Sequence, residues 1–259
     1  MRIDQALVEG NFFKTRTKAK EAVLAGVVFF AGKKVEKPSL DVSDSSLLQI
    51  KGKIMPYVSR GGLKLEKALC QFDIDLRGKI VLDIGSSTGG FTDCALKNGA
   101  KEVIAVDVGT DQLDASLRDL PNIMLYEQTD FRDIDLAFIQ KAQFITIDVS
   151  FISVKKLLEK LNQLSALEGI ICLIKPQFEC GKKIADKYYG VIKSAQIHQN
   201  ILEDVISSFS KYQFYCQGLT FSPITGGSGN REYLAYFTKI QTNYHPSIKE
   251  IVNQAFQQL

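Results

Sequence analysis

The chain of 259 residues is 45% hydrophobic and 24% charged with a net charge of +3, which excludes a disordered chain and leaves room for one large domain plus a small one. The charge is uneven: residues 1–51 hold nine Lys/Arg against six Asp/Glu, the entire excess, whereas residues 52–259 balance at 23 of each. A basic excess confined to a small N-terminal segment points to an acidic partner there.

Cysteines 70, 94, 172, 180 and 216 are odd in number, scattered and without a Cys-x-x-Cys pair, the usage of reduced thiols in a cytoplasmic protein. With only His198 and His245 beside them, no metal site is expected. The first residues lack an apolar signal core, and the longest apolar stretch, 22–32, is shorter than the roughly 20 residues that span a bilayer. A cytosolic chain is expected.

In chain order, the first predicted helix covers 15–25: Thr15 caps it, Ala19, Ala22 and Val23 recur on one face, and Gly26 ends it. Arg16 and Lys20, four apart, then share a face. Residues 27–30, the turn Ala31-Gly32 and residues 33–35 read as a hairpin, with one more strand over 45–50. On charge alone, these basic residues fit a solvated face as well as a nucleic-acid surface. Gly52 and Pro56 break a stretch of little periodicity, so a linker is placed at 52–58, between domains 1–51 and 59–259. Beyond it, Leu65, Ala68, Leu69 and Phe72 give a helix an apolar face, with Lys64 near its start.

Residues 80–84 form an apolar run interrupted only by Asp83, and enter the turn Gly85-Ser86-Ser87-Thr88-Gly89-Gly90, after which 91–97 read as a helix. A strand, a glycine turn and a helix N-terminus bring backbone N–H groups close to a ligand. Strands are predicted at 102–107, 123–126, 143–148 and 169–175 with helices between them, the clearest at 153–167, where Val154, Leu157, Leu158, Leu161 and Leu164 make a core stripe. This alternation implies a parallel sheet covered on both faces. Residues 176–193 read as a loop, followed by a helix to about residue 211. The last strands, 214–221 and 232–240, have no room for a crossover helix between them and must be antiparallel.

Dinucleotide sites use Gly-x-Gly-x-x-Gly, in which the middle glycine admits a pyrophosphate; here Ser87 stands at that position, which disfavours a nicotinamide cofactor. Asp107, ending the second strand of this sheet, is placed to accept from ribose hydroxyls, and Asp130, after the third, from an adenine amino group. Either could instead cap a turn. Seven strands, mostly parallel with an antiparallel last strand, and an acid after each of strands two and three resemble the Rossmann-like S-adenosylmethionine-dependent methyltransferase fold, of class α/β. Ligands of parallel sheets lie beyond the carboxyl ends of the strands. Asp148 ends the fourth strand, Lys175 ends the fifth, and Glu232 begins the antiparallel one at the same edge; Lys64 is not fixed by pattern. Lys175 could equally be a solvated strand-end charge, and Glu232 a cross-strand ion-pair partner.

Residues 2–51, with the basic stretch 16–20 leading into Gly26-x-Val28 and Gly32-x-x-Val35-x-Lys37-Pro38, resemble the small α+β S4 RNA-binding domain. That resemblance implies RNA contacts through Arg16, Lys18, Lys20, Lys33 and Lys34. The motifs Ser59-Arg60-Gly61-Gly62-Leu63-Lys64, Asp83 to Phe91, Val106-Asp107-Val108-Gly109, Asp148-Val149-Ser150-Phe151, Ile174-Lys175-Pro176 and Gly229-Asn230-Arg231-Glu232 resemble, in order and spacing, the TlyA family, which joins an S4 domain to an FtsJ-like methyltransferase. The resemblance implies 2′-O-methylation of a cytidine ribose in ribosomal RNA of the 16S or 23S type, with ribosomal RNA or a ribosomal subunit as partner. It implies a catalytic tetrad of Lys64, Asp148, Lys175 and Glu232. It further implies S-adenosylmethionine held by Asp83, Gly85, Ser86, Ser87, Thr88, Gly89, Gly90, Phe91, Asp107, Asp130 and Asp148, and Arg60 as an added RNA contact.

A ribose hydroxyl is a poor nucleophile, so a base must take its proton, and a lysine serves only when neutral. Burial and Lys64 favour the neutral amine of Lys175, while Asp148 and Glu232 favour the charged one. A secreted haemolysin, a label carried within the same family, would need a signal or membrane segment that the chain does not display. A non-catalytic RNA-binding protein would not need the intact tetrad.

Overall fold

The computed structural model describes residues 1–13, 15–24, 26–52 and 55–259, with Glu21 described by its backbone alone. The chain divides into two compact units, Met1–Pro56 and Tyr57–Leu259. The predicted helix end at residue 25 and the part of the predicted linker at 53 and 54 lie outside the described residues.

The first unit packs helices α1 (Ile3–Glu9) and α2 (Arg16–Leu24) on an antiparallel sheet of order β2-β1-β3, made of β1 (Val28–Phe30), β2 (Lys33–Lys34) and β3 (Leu48–Ile50). Thr15 Oγ1 accepts from the Lys18 N–H at 3.3 Å, the expected cap. Phe30 pairs with Lys33, so the hairpin turn is the two residues Ala31 and Gly32, at φ 48° and 78°. Positive φ at both positions gives the twist that matches two right-twisted strands. Ile3, Leu7, Ala19, Val23, Val28, Val35 and Leu48 form the core. Helix α1 was not predicted, because seven residues with a short apolar face give little periodic signal. Its Asp4 is fully buried and accepts from Arg2 at 3.1 Å and Arg16 at 2.9 Å. Burial pushes the Asp4 carboxyl up, but the Arg16 and Arg2 guanidiniums together hold it below the usual carboxylate value.

The second unit is built on a seven-stranded sheet of order β6-β5-β4-β7-β8-β10-β9. Its strands are β4 (Ile80–Ile84), β5 (Glu102–Val106), β6 (Ile123–Tyr126), β7 (Phe144–Ile147), β8 (Gly169–Ile174), β9 (Tyr215–Phe221) and β10 (Tyr233–Thr238). Only β10 runs antiparallel to its neighbours, as the missing crossover helix required. The helices are α3 (Gly61–Gln71), α4 (Gly90–Lys97), α5 (Ala115–Arg118), α6 (Leu136–Ile139), α7 (Leu158–Leu161), α8 (Pro176–Glu179), α9 (Lys182–Lys187), α10 (Ala195–Lys211) and α11 (Ile248–Gln258). Strand residues alternate between two cores: Val81, Ile171 and Leu173 face Leu65 and Phe91 on one side, while Leu82, Cys172 and Ile174 face Leu158, Leu202 and Phe209 on the other. Strand order reverses between β4 and β7, and there a sheet of this kind opens a crevice.

Three stretches of the second unit depart from expectation. The helix predicted over 153–167 is a 3-10 turn, Val154–Leu157, followed by the single turn of α7, although every residue of its predicted stripe is buried. Glu179 accepts from Ser153 Oγ at 2.5 Å and from the Val154 N–H at 2.8 Å, which fixes the tight start, and the chain must turn back through 162–168 to enter β8. The predicted loop 176–193 contains α8, begun by Pro176 at its first position, and α9. Helix α11 also went unpredicted, although Ile248, Ile251, Val252, Ala255 and Phe256 lie on one helical face against the larger core. Among the described residues no helix is long and apolar enough to cross a membrane.

The Phe209 ring of α10 stacks on Phe237 of β10 with centroids 3.9 Å apart, both side chains fully buried. Truncating it leaves a cavity between helix and sheet, so Phe209→Ala should lower the stability of the second unit by about 3–5 kcal/mol, read as a reduced urea midpoint.

Candidate active site

Strand β4 delivers the chain to Gly85 at φ 83°. A Cβ on Gly85 would stand 2.6 Å from the Asp148 carbonyl oxygen, so the first residue of the turn must be glycine if β4 and β7 are to meet. Ser87 lies in the left-handed region at φ 46°, and its N–H donates to Asp107 Oδ2 at 2.8 Å. Gly89, at φ 92°, begins α4 directly beneath Leu113 and Leu117. The Ser86 hydroxyl is buried and has no hydrogen-bond partner among the described residues.

Asp107 stands at the carboxyl end of β5, where its two oxygens accept from the Ser87 and Gly109 N–H groups at 2.8 and 2.7 Å. Turn capping and cofactor binding are therefore not exclusive, because each carboxylate oxygen keeps a second lone pair. Asp130 accepts from the Arg132 guanidinium at 2.6 and 3.0 Å and from the Arg132 N–H at 2.9 Å. That pairing with Arg132 holds its carboxyl below the usual range. Both aspartates line a cavity of about 550 Å³ with Gly85, Ser87, Val108 and Asp148.

Two further cavities adjoin it, of about 230 and 810 Å³. Gly85, Ser87 and Asp148 border the first and second; Lys64 and the Gly226-Gly227 backbone border the second and third. The four predicted catalytic residues stand along this trough as two ion pairs. Lys64 Nζ donates to Glu232 Oε2 at 2.6 Å, both groups buried. Lys175 Nζ lies 2.7 Å from Asp148 Oδ1, an ionic contact without hydrogen-bond alignment, and donates to Ser150 Oγ at 2.8 Å. Topology put three of the four at this edge; the structure adds Lys64, which α3 carries there from outside the sheet.

The remaining predicted residues separate. Thr88, Gly90 and Phe91 line the second cavity with Arg60, which is exposed at the start of α3. Asp83 does not reach any of the cavities, because its carboxylate is fully buried behind the turn. In the first unit Lys20, Lys33 and Lys34 are exposed, Lys18 is half-buried, and Arg16 is engaged by Asp4. Two residues not singled out are Ser150, beside the Lys175 amine, and Phe151, which is 91% exposed at φ 64° and packs on Phe178 at 5.1 Å. A bulky aromatic residue on a left-handed backbone is uncommon and is not predicted by propensity rules; Phe151 lines the first and third cavities.

These groups fit S-adenosylmethionine. The first cavity presents the Asp107 carboxylate, an acceptor suited to ribose hydroxyls, and the second the Ser86 hydroxyl, a donor suited to a carboxylate.

Residues 57–239 match the family described as FtsJ-like methyltransferase. Hemolysin A of Brachyspira hyodysenteriae is 40% identical over 240 residues, covering 92% of this chain and 99% of that protein. The 16S/23S rRNA (cytidine-2′-O)-methyltransferase TlyA of Mycobacterium tuberculosis is 35% identical over 251 residues, 96% of this chain and 93% of that protein. Among solved structures, one described as a candidate hemolysin from Streptococcus thermophilus is similar at 41% identity with a TM-score of 0.77, covering 100% of this chain and 96% of that one.

Asp83 holds the turn from below. Its oxygens accept from Thr92 Oγ1 of α4 at 2.6 Å and Thr146 Oγ1 of β7 at 2.8 Å, and burial pushes its carboxyl up from 3.8 to about 6. An acid raised on folding binds more protons in the folded chain, so its share of stability is full below pH 3.8 and is lost as pH rises through 6. Asp83→Asn removes that titration and should raise stability at pH 7 relative to pH 4 when compared with wild type. Thermal midpoints of both proteins at the two pH values check it.

Proposed function

The chain belongs to the family of FtsJ-like methyltransferases, enzymes whose methyl donor is S-adenosylmethionine, and we propose that it methylates the 2′-hydroxyl of a cytidine ribose in ribosomal RNA with Lys175 as general base. The observation that carries this reading is the Lys175 amine, 2.7 Å from Asp148 and 2.8 Å from Ser150, at the wall of the third cavity. S-adenosylmethionine supplies, when bound, a methyl group already activated on a sulfonium. What the protein must add is position and a proton acceptor.

Asp148 borders the first two cavities and Lys175 the third, so their contact joins the donor side of the trough to the acceptor side. A ribose in the third cavity meets the Lys175 nitrogen flanked by Asp148 and Ser150. Once the Lys175 ammonium has released a proton to solvent, the amine takes the hydroxyl proton, and the ammonium so re-formed lies again beside the Asp148 carboxylate, which stabilises it. Lys64, bonded to Glu232, places its compensated charge at the junction of the second and third cavities. In this reading the first unit is an S4-like RNA-binding domain. Its exposed Lys20, Lys33 and Lys34 bind phosphate, with Lys18 and the residual donors of Arg16 beside them. In the second unit Arg60, exposed at the second cavity, makes an RNA contact of its own, and the protein works in the cytoplasm on ribosomal RNA or a ribosomal subunit.

Mass spectrometry of ribosomal RNA incubated with protein and labelled S-adenosylmethionine should find the label on a cytidine ribose; a methyl on a base would overturn the reading. Lys175→Ala should lower turnover by about 10²-fold or more while leaving S-adenosylmethionine affinity, measured by calorimetry, within about twofold. Ser150→Ala should lower turnover by about tenfold with the same unchanged affinity.

A further inference from the structure

The four residues that lead into β10 send their side chains to four different parts of the second unit. Asn230 is buried, accepts from the Ile192 N–H at 3.1 Å and donates to the Gly190 carbonyl at 2.7 Å. Glu232 takes Lys64. The Tyr233 hydroxyl meets His198 Nδ1 at 2.7 Å, and His198 Nε2 faces the Ile192 carbonyl at 3.0 Å. A carbonyl only accepts, so Nε2 carries a proton; burial lowers the His198 pKa to about 4, so the imidazole is neutral and Nδ1 accepts from the tyrosine.

Arg231 turns the other way, to α11. Its Nε donates to the Ala255 carbonyl at 3.1 Å, in the last turn of that helix, and its guanidinium carbon lies 4.2 Å from the centroid of the Phe256 ring. The Ala255 carbonyl also accepts from the Leu259 N–H at 3.2 Å, so Arg231 takes its second lone pair, and the partial negative charge of a helix C-terminus and the ring face add to that hold. The Phe256 ring also meets His198 edge-on at 5.1 Å. One aromatic residue of α11 thus touches the two groups on either side of Glu232: Arg231 directly before it and, through His198, Tyr233 directly after it.

Glu232 has little other freedom. Its carbonyl accepts from the Ser222 N–H at 2.8 Å, and the backbone at Gly226 lies so close that a Cβ there would stand 2.5 Å from Glu232 Oε1. Its carboxylate reaches Lys64 only if the 230–232 backbone keeps its present course. We propose that α11 is a positioning element for the catalytic edge: Arg231, clamped between the Ala255 carbonyl and the Phe256 ring, fixes the backbone that aims Glu232 at Lys64. This rests on the reading that the Lys64–Glu232 pair belongs to the methyl-transfer machinery. Arg231 and Phe256 are positioning residues, and they act through Glu232.

The test uses the full chain and four variants, Arg231→Met, Arg231→Lys, Phe256→Leu and Glu232→Gln, with Arg231→Met also placed in the Glu232→Gln background. Methyl transfer to ribosomal RNA, S-adenosylmethionine affinity and thermal midpoint are measured for each. Arg231→Met should lower kcat by about tenfold with cofactor affinity within about twofold, and Arg231→Lys, which keeps the charge over the ring, should recover most of the loss. Phe256→Leu should give a smaller loss of the same kind. In the Glu232→Gln background Arg231→Met should cost less than about twofold, because a residue acting through Glu232 has nothing left to position. An equal loss in both backgrounds would mark a general structural role and overturn the proposal, as would wild-type kcat in both Arg231→Met and Phe256→Leu. Wild-type turnover in Glu232→Gln would instead overturn the reading on which the proposal rests.

Discussion

Strands β4 and β7 run side by side in the middle of the sheet, and at their carboxyl ends the chain leaves them in opposite directions. The geometry of the candidate site in the second unit depends on how closely those two ends approach. Gly85 has no Cβ, and one would strike the Asp148 carbonyl, so the glycine turn and the Asp148 backbone share a single seam. On one side of the seam lie Ser87 and Asp107, on the other Ser150 and Lys175. Asp83, buried beneath, ties the same seam to α4 through Thr92 and to β7 through Thr146.

The legible part of this arrangement was the part governed by period and by turn chemistry. The short β-branched apolar runs at 80–84, broken only by Asp83, and at 169–174 read as strands buried on both faces, and the short 222–232 connection cannot hold a crossover helix. Given strand direction, Asp148, Lys175 and Glu232 had to share an edge. What pattern could not reach was Lys64. Its helix packs on a face of the sheet, and whether the amine arrives at the edge depends on contacts such as the approach of Gly62 to the Tyr57 ring.

Other misses have specific causes. The leucines of 154–164 repeat at helical spacing, and they are core, but the spacing is equally served by a 3-10 turn, one α-turn and a bend. Asp83 belongs to the motif that the family resemblance links to the cofactor, yet Thr92 and Thr146 hold its carboxylate inside the protein, which no sequence period shows. Ser150 and Phe151 follow Asp148 in sequence without any periodic signal. They became visible only through a donated hydrogen bond and a left-handed backbone. Membership of a family of methyltransferases accounts for the turn and the sheet order; it does not by itself explain why α11 reaches to within one residue of Glu232.

The pairing of four charges into two has a consequence at longer range. Lys64 with Glu232 and Lys175 with Asp148 sum to zero, so the quartet projects little field beyond the trough despite its two lysines. A polyanion approaching from solution is steered by the exposed cations elsewhere, and that steering is screened over about 8–10 Å at ordinary ionic strength. The buried Lys64–Glu232 pair is not screened in this way. Added salt should therefore weaken the long-range pull on a polyanion while leaving the geometry of that pair much as it was.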